Sequence, residues 1–431
     1  MMWELVFDDK GVTASAAGFA DDVARAGVTD LFVFSHGWNT AEDSARRLYA
    51  ELFPLVENAA SGVAGLGTIG FVGVLWPSLW FPETKASVAP ASGSTQAAGS
   101  VEEARSGTDA LSGAEIAASL ATGFADPAPV LALGRILDEA QEAARAGVAD
   151  DVLVRRFEEF HALLGSLAAT VPEYEDAGER ALLTSTDPTG TYQALAEVFG
   201  SAPAGGAQQG IGDWFGRALG GAKDALRVFS YNVMKARAGE VGRKGLGPLL
   251  STLRGVRVHL IGHSFGARLV SFALAGVGDP SPVASLLLLQ GAFSHWSFAH
   301  AKDNPFGEDG ALHAYANRVR GPLVATYTRF DLAVCRWYPK ASFLARADQS
   351  ASTAGRWGGM GEDGFQAVTP SADRVMRADG TTKYDFEPGT FYRVNAEDVI
   401  NDTRADAFAG AHSDFVKPAV ARLVVAAASH S

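Results

Sequence analysis

The sequence predicts an α/β chain built on a doubly wound, mostly parallel sheet and interrupted by a large, mainly helical insertion. Three observations predict it. Short runs of Val, Leu, Ile and Phe recur without alternating with polar residues, the mark of strands buried on both faces of a parallel sheet. Helical patterns separate these runs, which implies right-handed crossovers between consecutive strands. The rhythm stops near residue 80 and resumes near residue 226.

Taken in order, the first run is Leu31–His36, followed by a helix from about Ala41 to Glu57 and a second run, Gly70–Pro77. The insertion follows. It opens with an Ala/Ser/Gly-rich stretch over 85–107, a flexible linker by composition. Helical patterns come next, over 129–147 and in the stripe Val154, Phe157, Phe160, Leu164 and Leu167, spaced by threes and fours. Later strand-like runs cover 258–264, 285–293, 322–331 and 390–396, and a Gly-rich stretch over 346–368 reads as a surface loop. The division is therefore 1–79 and 226–431 for the sheet and 80–225 for the insertion, with no internal repeat.

Composition bounds the function. Hydrophobic residues make up 47% and charged residues 20% of 431, enough to bury a sizeable core. A formal charge of −13 argues against nucleic acid and against anionic membranes, both of which call for clustered Lys and Arg. Cys335 is the single cysteine, so no intrachain disulfide forms. The start has no basic segment leading into an apolar one, and the longest apolar runs fall short of the roughly 20 residues of a membrane span. A soluble, cytoplasmic protein is the expectation; the oligomeric state is open.

One stretch carries chemistry. Gly262-His263-Ser264-Phe265-Gly266 stands between the strand-like VHLI and the helical ARLVSFAL. Glycines two positions either side of a serine let strand and helix close around a strained residue, which presents the hydroxyl over a helix N-terminus. Such a serine needs a base, and the base needs an acid to orient it. Asp331, closing the 322–331 run, is the candidate acid, with Asp398 and Asp402 as rivals. Of the nine histidines, His412 alone follows the last strand and precedes the final helix, which makes it the candidate base. His36, His259 and His263 read as structural. Ser413 or Asp414 reads as a cap of the final helix. His36-Gly37 lets the chain turn so that the Trp38 N–H, with that of Phe265, faces an oxyanion at Ser264.

These elements resemble the α/β-hydrolase fold family, over about 1–79 and 226–431, and are similar to bacterial hydrolases with HGWN-like and GHSFGAR-like motifs. The resemblance implies a sheet of about eight strands and a role for the 80–225 insertion as a helical cap. It implies a serine hydrolase with catalytic Ser264, Asp331 and His412, oxyanion donors Trp38 and Phe265, and support from His36, Gly37, Gly262 and Gly266. The expected substrate is a small-molecule carboxylic ester cleaved through an acyl-enzyme, with no metal or organic cofactor. Trp76, Trp80, Trp214 and Phe215 suit an apolar acyl or aromatic ester, and equally suit packing of the insertion. An amidase or peptidase would use the same residues. A catalytically silent binding protein and a haloperoxidase-like oxidoreductase are further alternatives.

Other motifs carry little. GIGDWFG over 210–216 lacks the dinucleotide spacing, no phosphate-binding P-loop occurs, no H-E-x-x-H or Cys/His cluster suggests zinc, and one cysteine rules out a thiolate cage. Asn401-Asp402-Thr403 has the form of a glycosylation sequon, which means little without a secretory signal.

Overall fold

Eight strands form a single sheet, and every neighbouring pair in it is parallel. The strands are β1 (Met2–Val6), β2 (Asp30–Ser35), β3 (Ile69–Leu75), β4 (Arg257–His263), β5 (Val283–Leu289), β6 (Leu323–Tyr327), β7 (Ser371–Val375) and β8 (Phe391–Asn395). Their order across the sheet is β1-β3-β2-β4-β5-β6-β8-β7. The computed structural model describes residues 1–38, 40–78, 111–121, 124, 126–170, 187–199, 211–337, 358–404 and 409–430. The predicted 85–107 linker, Asn39, Trp80 and part of the 346–368 stretch lie outside them.

Burial explains which strands the sequence announces. Every residue of β2 and β5 is buried, as are all but the first of β3 and β4, so these strands need apolar side chains on both faces. The edge strands differ. β7 reads Ser-Ala-Asp-Arg-Val, is nowhere fully buried, and pairs only with β8, so no apolar run marks it. β1 pairs only with β3. Neither edge strand was visible as a run.

Helix α1 (Phe19–Arg25) precedes β2, and α2 (Glu42–Ala60) joins β2 to β3. On one face, Tyr49, Leu52 and Phe53 of α2 share an apolar cluster with Phe34, Phe71 and Val394 of the sheet and with Leu423 of the last helix, Pro418–Ser429. That helix carries no side-chain cap. Asp414 instead accepts the backbone N–H groups of Asn401 (3.0 Å) and Asp402 (2.9 Å) and pairs with Lys417 at 2.6 Å, so it holds the chain that follows β8 rather than the helix.

The described residues form two compact units. One is built from Met1–Ser78, Lys235–Pro339 and Ser352–Ser431, and the other lies within Leu79–Met234. The second is helical where described, with α3 (Gly113–Ala121), α4 (Ala128–Arg145), α5 (Asp150–Ala168), α6 (Pro188–Phe199) and the start of α7 (Ile211–Glu240). The buried stripe of α5 is Leu153, Phe157, Phe160, Leu164 and Ala168, offset by one residue at each end from the predicted one. Phe157 meets the rings of Tyr192 (6.0 Å), Trp214 (6.4 Å) and Phe215 (5.7 Å). Trp214 and Phe215 thus help to pack the helices of this unit together. Among the described residues, no helix is long and apolar enough to cross a membrane.

The topology fixes where a site belongs. From β2 the chain turns back to β3, whereas from β4 it moves on through α8 (Phe265–Gly276) to β5. β2 and β4 are neighbours, so their outgoing connections diverge and leave a crevice at their carboxyl ends, where ligands bind in open α/β sheets.

Candidate active site

Ser264 stands at that crevice, two residues past the Ser35–Gly262 register pair. Its backbone adopts φ 56° and ψ −123°, one of three positive-φ conformations at non-glycine residues among those described. Such a conformation costs roughly 1–3 kcal/mol and persists only where the surroundings enforce it. Here they do. The Ser264 N–H donates to the Leu289 carbonyl (3.1 Å), and the Ser264 carbonyl accepts from Ala267 (3.1 Å) and Ala292 (3.2 Å). A Cβ on Gly262 would come within 2.5 Å of Ala267 Cα, and one on Gly266 would strike the carbonyls of Ser35 and His36. The two glycines are what let strand, turn and helix approach this closely.

His412 is brought to the elbow by two loops that pair with each other. The chain after β8 runs antiparallel to the chain after β6, with an isolated bridge between Asp331 and Gly410 and a bond from Ala411 N–H to the Phe330 carbonyl (2.8 Å). Gly410 adopts φ 62°, a left-handed conformation that favours glycine, and a Cβ there would also meet the Phe330 carbonyl. His412 Nδ1 lies 2.8 Å from Asp331 Oδ2, and the other carboxylate oxygen accepts the Val334 N–H at 2.9 Å. Asp331 is fully buried and His412 nearly so. A carboxylate accepts only, so it fixes the proton of the neutral imidazole on Nδ1 and leaves Nε2 free to take another.

His263 was read from sequence as a structural residue of the elbow, and its contact with His412 was missed. Its Nε2–H donates to the His412 carbonyl at 2.9 Å, and the two rings lie 4.7 Å apart. Burial, reinforced by the charge His412 can carry, holds the His263 imidazole well below its ordinary pKa. His263, the residue before Ser264, is thus a neutral donor that ties the loop of His412 to the end of β4. Among the described residues no hydrogen bond joins Ser264 Oγ to His412. The bond from His263 is what links the His412 loop to the residue before Ser264, and catalytic hydrogen bonds commonly tighten only when substrate binds.

On the far side of the elbow, His36 is stacked on Trp76 with ring centroids 5.6 Å apart. Its Nδ1–H donates to the Gly37 carbonyl at 2.9 Å, and its Nε2 faces the Trp76 N–H at 3.5 Å. Trp76 Nε1–H returns a bond to the His36 carbonyl (3.0 Å), so this tryptophan buttresses the loop. A Cβ on Gly37 would stand 2.7 Å from Ser264 Cβ and 3.0 Å from His263 Nδ1, so no larger residue fits there without displacement. The Trp38 and Phe265 rings are 6.1 Å apart, which places the two predicted N–H donors on neighbouring stretches of chain.

The rival acids and bases lie elsewhere. Asp398 accepts the Ala378 N–H (3.1 Å), and Asp402 is tied to Arg404, whose bonds to it hold its pKa down to about 2. His295 pairs with Asp363 at 2.6 Å, His161 with Tyr192 at 2.8 Å, and His430 with the Ala426 carbonyl at 2.8 Å. His259 bridges Asp30 (3.1 Å) and Ser285 (2.9 Å) inside the sheet, beneath 3% exposure or less for all three.

The buried imidazoles give a stability prediction. Burial pushes His36 down to about 4, outweighing the Gly37 carbonyl, and also lowers His259 and His263. The unfolded chain takes up these protons near pH 6.5, well above the folded state, so stability is full above that value and falls as the pH falls from about 6.5 toward 4. At pH 5, His36 alone is expected to remove about 2 kcal/mol relative to pH 7. Urea unfolding at the two pH values measures this; an unchanged midpoint would contradict it.

Comparison with family models, with curated proteins and with solved structures returns no match for this chain.

Proposed function

We propose that the protein is a serine hydrolase of the α/β-hydrolase type that cleaves carboxylic esters through an acyl-enzyme on Ser264. The single observation that carries this reading is the pair His412–Asp331, bonded at 2.8 Å and pinned through His263 to the strained residue next in sequence. In the reaction, His412 Nε2 takes the Ser264 proton as Oγ attacks the ester carbonyl. Asp331 holds the Nδ1–H and offsets the charge of the imidazolium. The N–H groups of Phe265 and Trp38 receive the developing oxyanion, helped by the N-terminal dipole of α8. The imidazolium then protonates the leaving alcohol, and in the second half-reaction His412 activates water against the acyl-enzyme.

Within this proposal the hydrogen bond between Ser264 Oγ and His412 Nε2 forms in the substrate complex. The helical unit, inserted between β3 and β4, is read as a cap within the same proposal. A series of p-nitrophenyl esters from acetate to decanoate tests both parts. Turnover with an initial burst of one p-nitrophenolate per chain supports the acyl-enzyme, and a chain-length optimum beyond acetate supports an apolar acyl site. Absence of any turnover above the buffer rate across the series would sink the proposal.

Gly37 supplies a narrower test. Gly37→Ala drives a methyl group toward Ser264 Cβ, so either the Trp38 N–H or the serine must move. Displacing one oxyanion donor costs about 10²-fold or more in kcat. The expected result is that loss in kcat with near-unchanged KM and a cooperative unfolding transition. Wild-type kcat in this variant would remove the loop from the proposed site.

A further inference from the structure

Outside the elbow, the loop after β5 gathers three side chains of metal-ligating type. Among the described residues, His300, Asp309 and His313 are the only such group of three, with one donor atom from each lying within 4.8 Å of the others. No linear motif marks them, because they are spaced nine and four residues apart. The loop that holds them is closed on itself. Gly310 N–H donates to the Ala299 carbonyl (2.9 Å), Leu312 N–H to that of Ser297 (2.8 Å) and His313 N–H to that of Gly310 (2.9 Å).

The outer bonds of the three side chains resemble those that orient metal ligands. His313 Nδ1–H donates to the Phe298 carbonyl at 3.2 Å, which fixes its tautomer and leaves Nε2 as a lone-pair donor. Asp309 Oδ1 accepts the Ala301 N–H at 2.6 Å, which leaves Oδ2 to bind. His300 Nδ1, 4.0 Å from Asp309 Oδ1, accepts the Lys302 N–H at 3.1 Å. That bond is exposed, so water can take over the N–H when Nδ1 turns to an ion. The two imidazoles stand edge to face, 5.1 Å between centroids. Lys302 Nζ pairs with Asp303 at 3.8 Å, a different carboxylate from Asp309.

We propose that His300, Asp309 and His313 bind one divalent transition-metal ion of the zinc class and thereby staple this loop. Two imidazoles and a carboxylate suit Zn²⁺, Ni²⁺ or Cu²⁺, whereas Mg²⁺ and Ca²⁺ require oxygen shells. Around a tetrahedral ion with bonds of about 2.0–2.1 Å the donor atoms sit roughly 3.3 Å apart. The present spread closes to that by rotation of side chains that are half-exposed, 50% for His300 and 55% for Asp309. Three protein ligands leave the fourth position to water.

The test is calorimetric titration of the full chain, stripped with a chelator and exchanged into metal-free buffer, with Zn²⁺ and separately with Mg²⁺. The expected result is one saturable Zn²⁺ per chain, no saturable Mg²⁺, and a rise in the thermal midpoint with Zn²⁺. The H300A/H313A double variant should lose at least about tenfold in Zn²⁺ affinity while keeping the metal-free midpoint of wild type. Asp309→Asn, which keeps the acceptor for Ala301 N–H, gives a second reading should the double variant fold poorly; it too should bind more weakly. The proposal is overturned if wild type takes up no saturable Zn²⁺, or if Zn²⁺ binds the variants as it binds wild type.

Discussion

Ser264→Ala is expected to lower ester turnover by about 10⁵–10⁶-fold, to a residue supplied by substrate binding and oxyanion stabilisation alone. The size follows from the kind of step removed. Without Oγ there is no covalent intermediate, and His412 and Asp331 have no proton to move, so all three contributions vanish together rather than in part. The fold should be little affected. The strained backbone is held by bonds from Ser264 N–H and to its carbonyl, neither of which involves the hydroxyl. An alanine at φ 56° carries the same strain as the serine. The measurement is steady-state hydrolysis of a p-nitrophenyl ester, beside thermal unfolding of both proteins. Comparable turnover in the variant would mean that another group attacks.

Asp331→Asn should come second, with a loss of about 10⁴-fold in kcat. The amide is nearly isosteric, so the bond from Val334 N–H to Oδ1 can persist. What changes is the partner of the imidazole. An amide NH₂ in place of Oδ2 donates to Nδ1, which stabilises the tautomer with its proton on Nε2, and that tautomer cannot accept from serine. KM should change little. Asp402→Asn is the matched control, since Asp402 is paired with Arg404 at the surface, and it should leave kcat within about twofold. Equal losses in the two variants would show that charge near the sheet, not the held imidazole, decides the rate.

Much of this arrangement was legible in the residues. The apolar runs of β2 to β5, alternating with helical patterns, announced a parallel sheet because strands covered by helices on both faces need apolar side chains on both. The motif around Ser264 announced the elbow because its glycines sit where neighbouring backbone leaves no room for a Cβ. Asp331 and His412 followed from chain order, and their contact lies where strand ends would put it. What stayed hidden is physical in origin. β7 is an edge strand of polar residues, so nothing in its hydropathy marks it. The bond from His263 to the His412 carbonyl joins residues 149 apart and depends on a loop register that no local pattern encodes. The antiparallel pairing of 409–411 with 330–333, which aims the imidazole, is likewise a backbone matter. The grouping of His300, Asp309 and His313 came only with the closed loop.

The proposed chemistry requires that the Ser264 hydroxyl be made reactive by a distant imidazole and carboxylate. Treatment with a fluorophosphonate, in which Oγ displaces fluoride from phosphorus, reads that reactivity directly by intact mass and peptide mapping. One phosphonyl group per chain, located on the peptide bearing Ser264, absent from Ser264→Ala and slowed by orders of magnitude in His412→Ala, is the predicted result. Wild type that stays unlabelled, or Ser264→Ala that labels as fast as wild type, would contradict it.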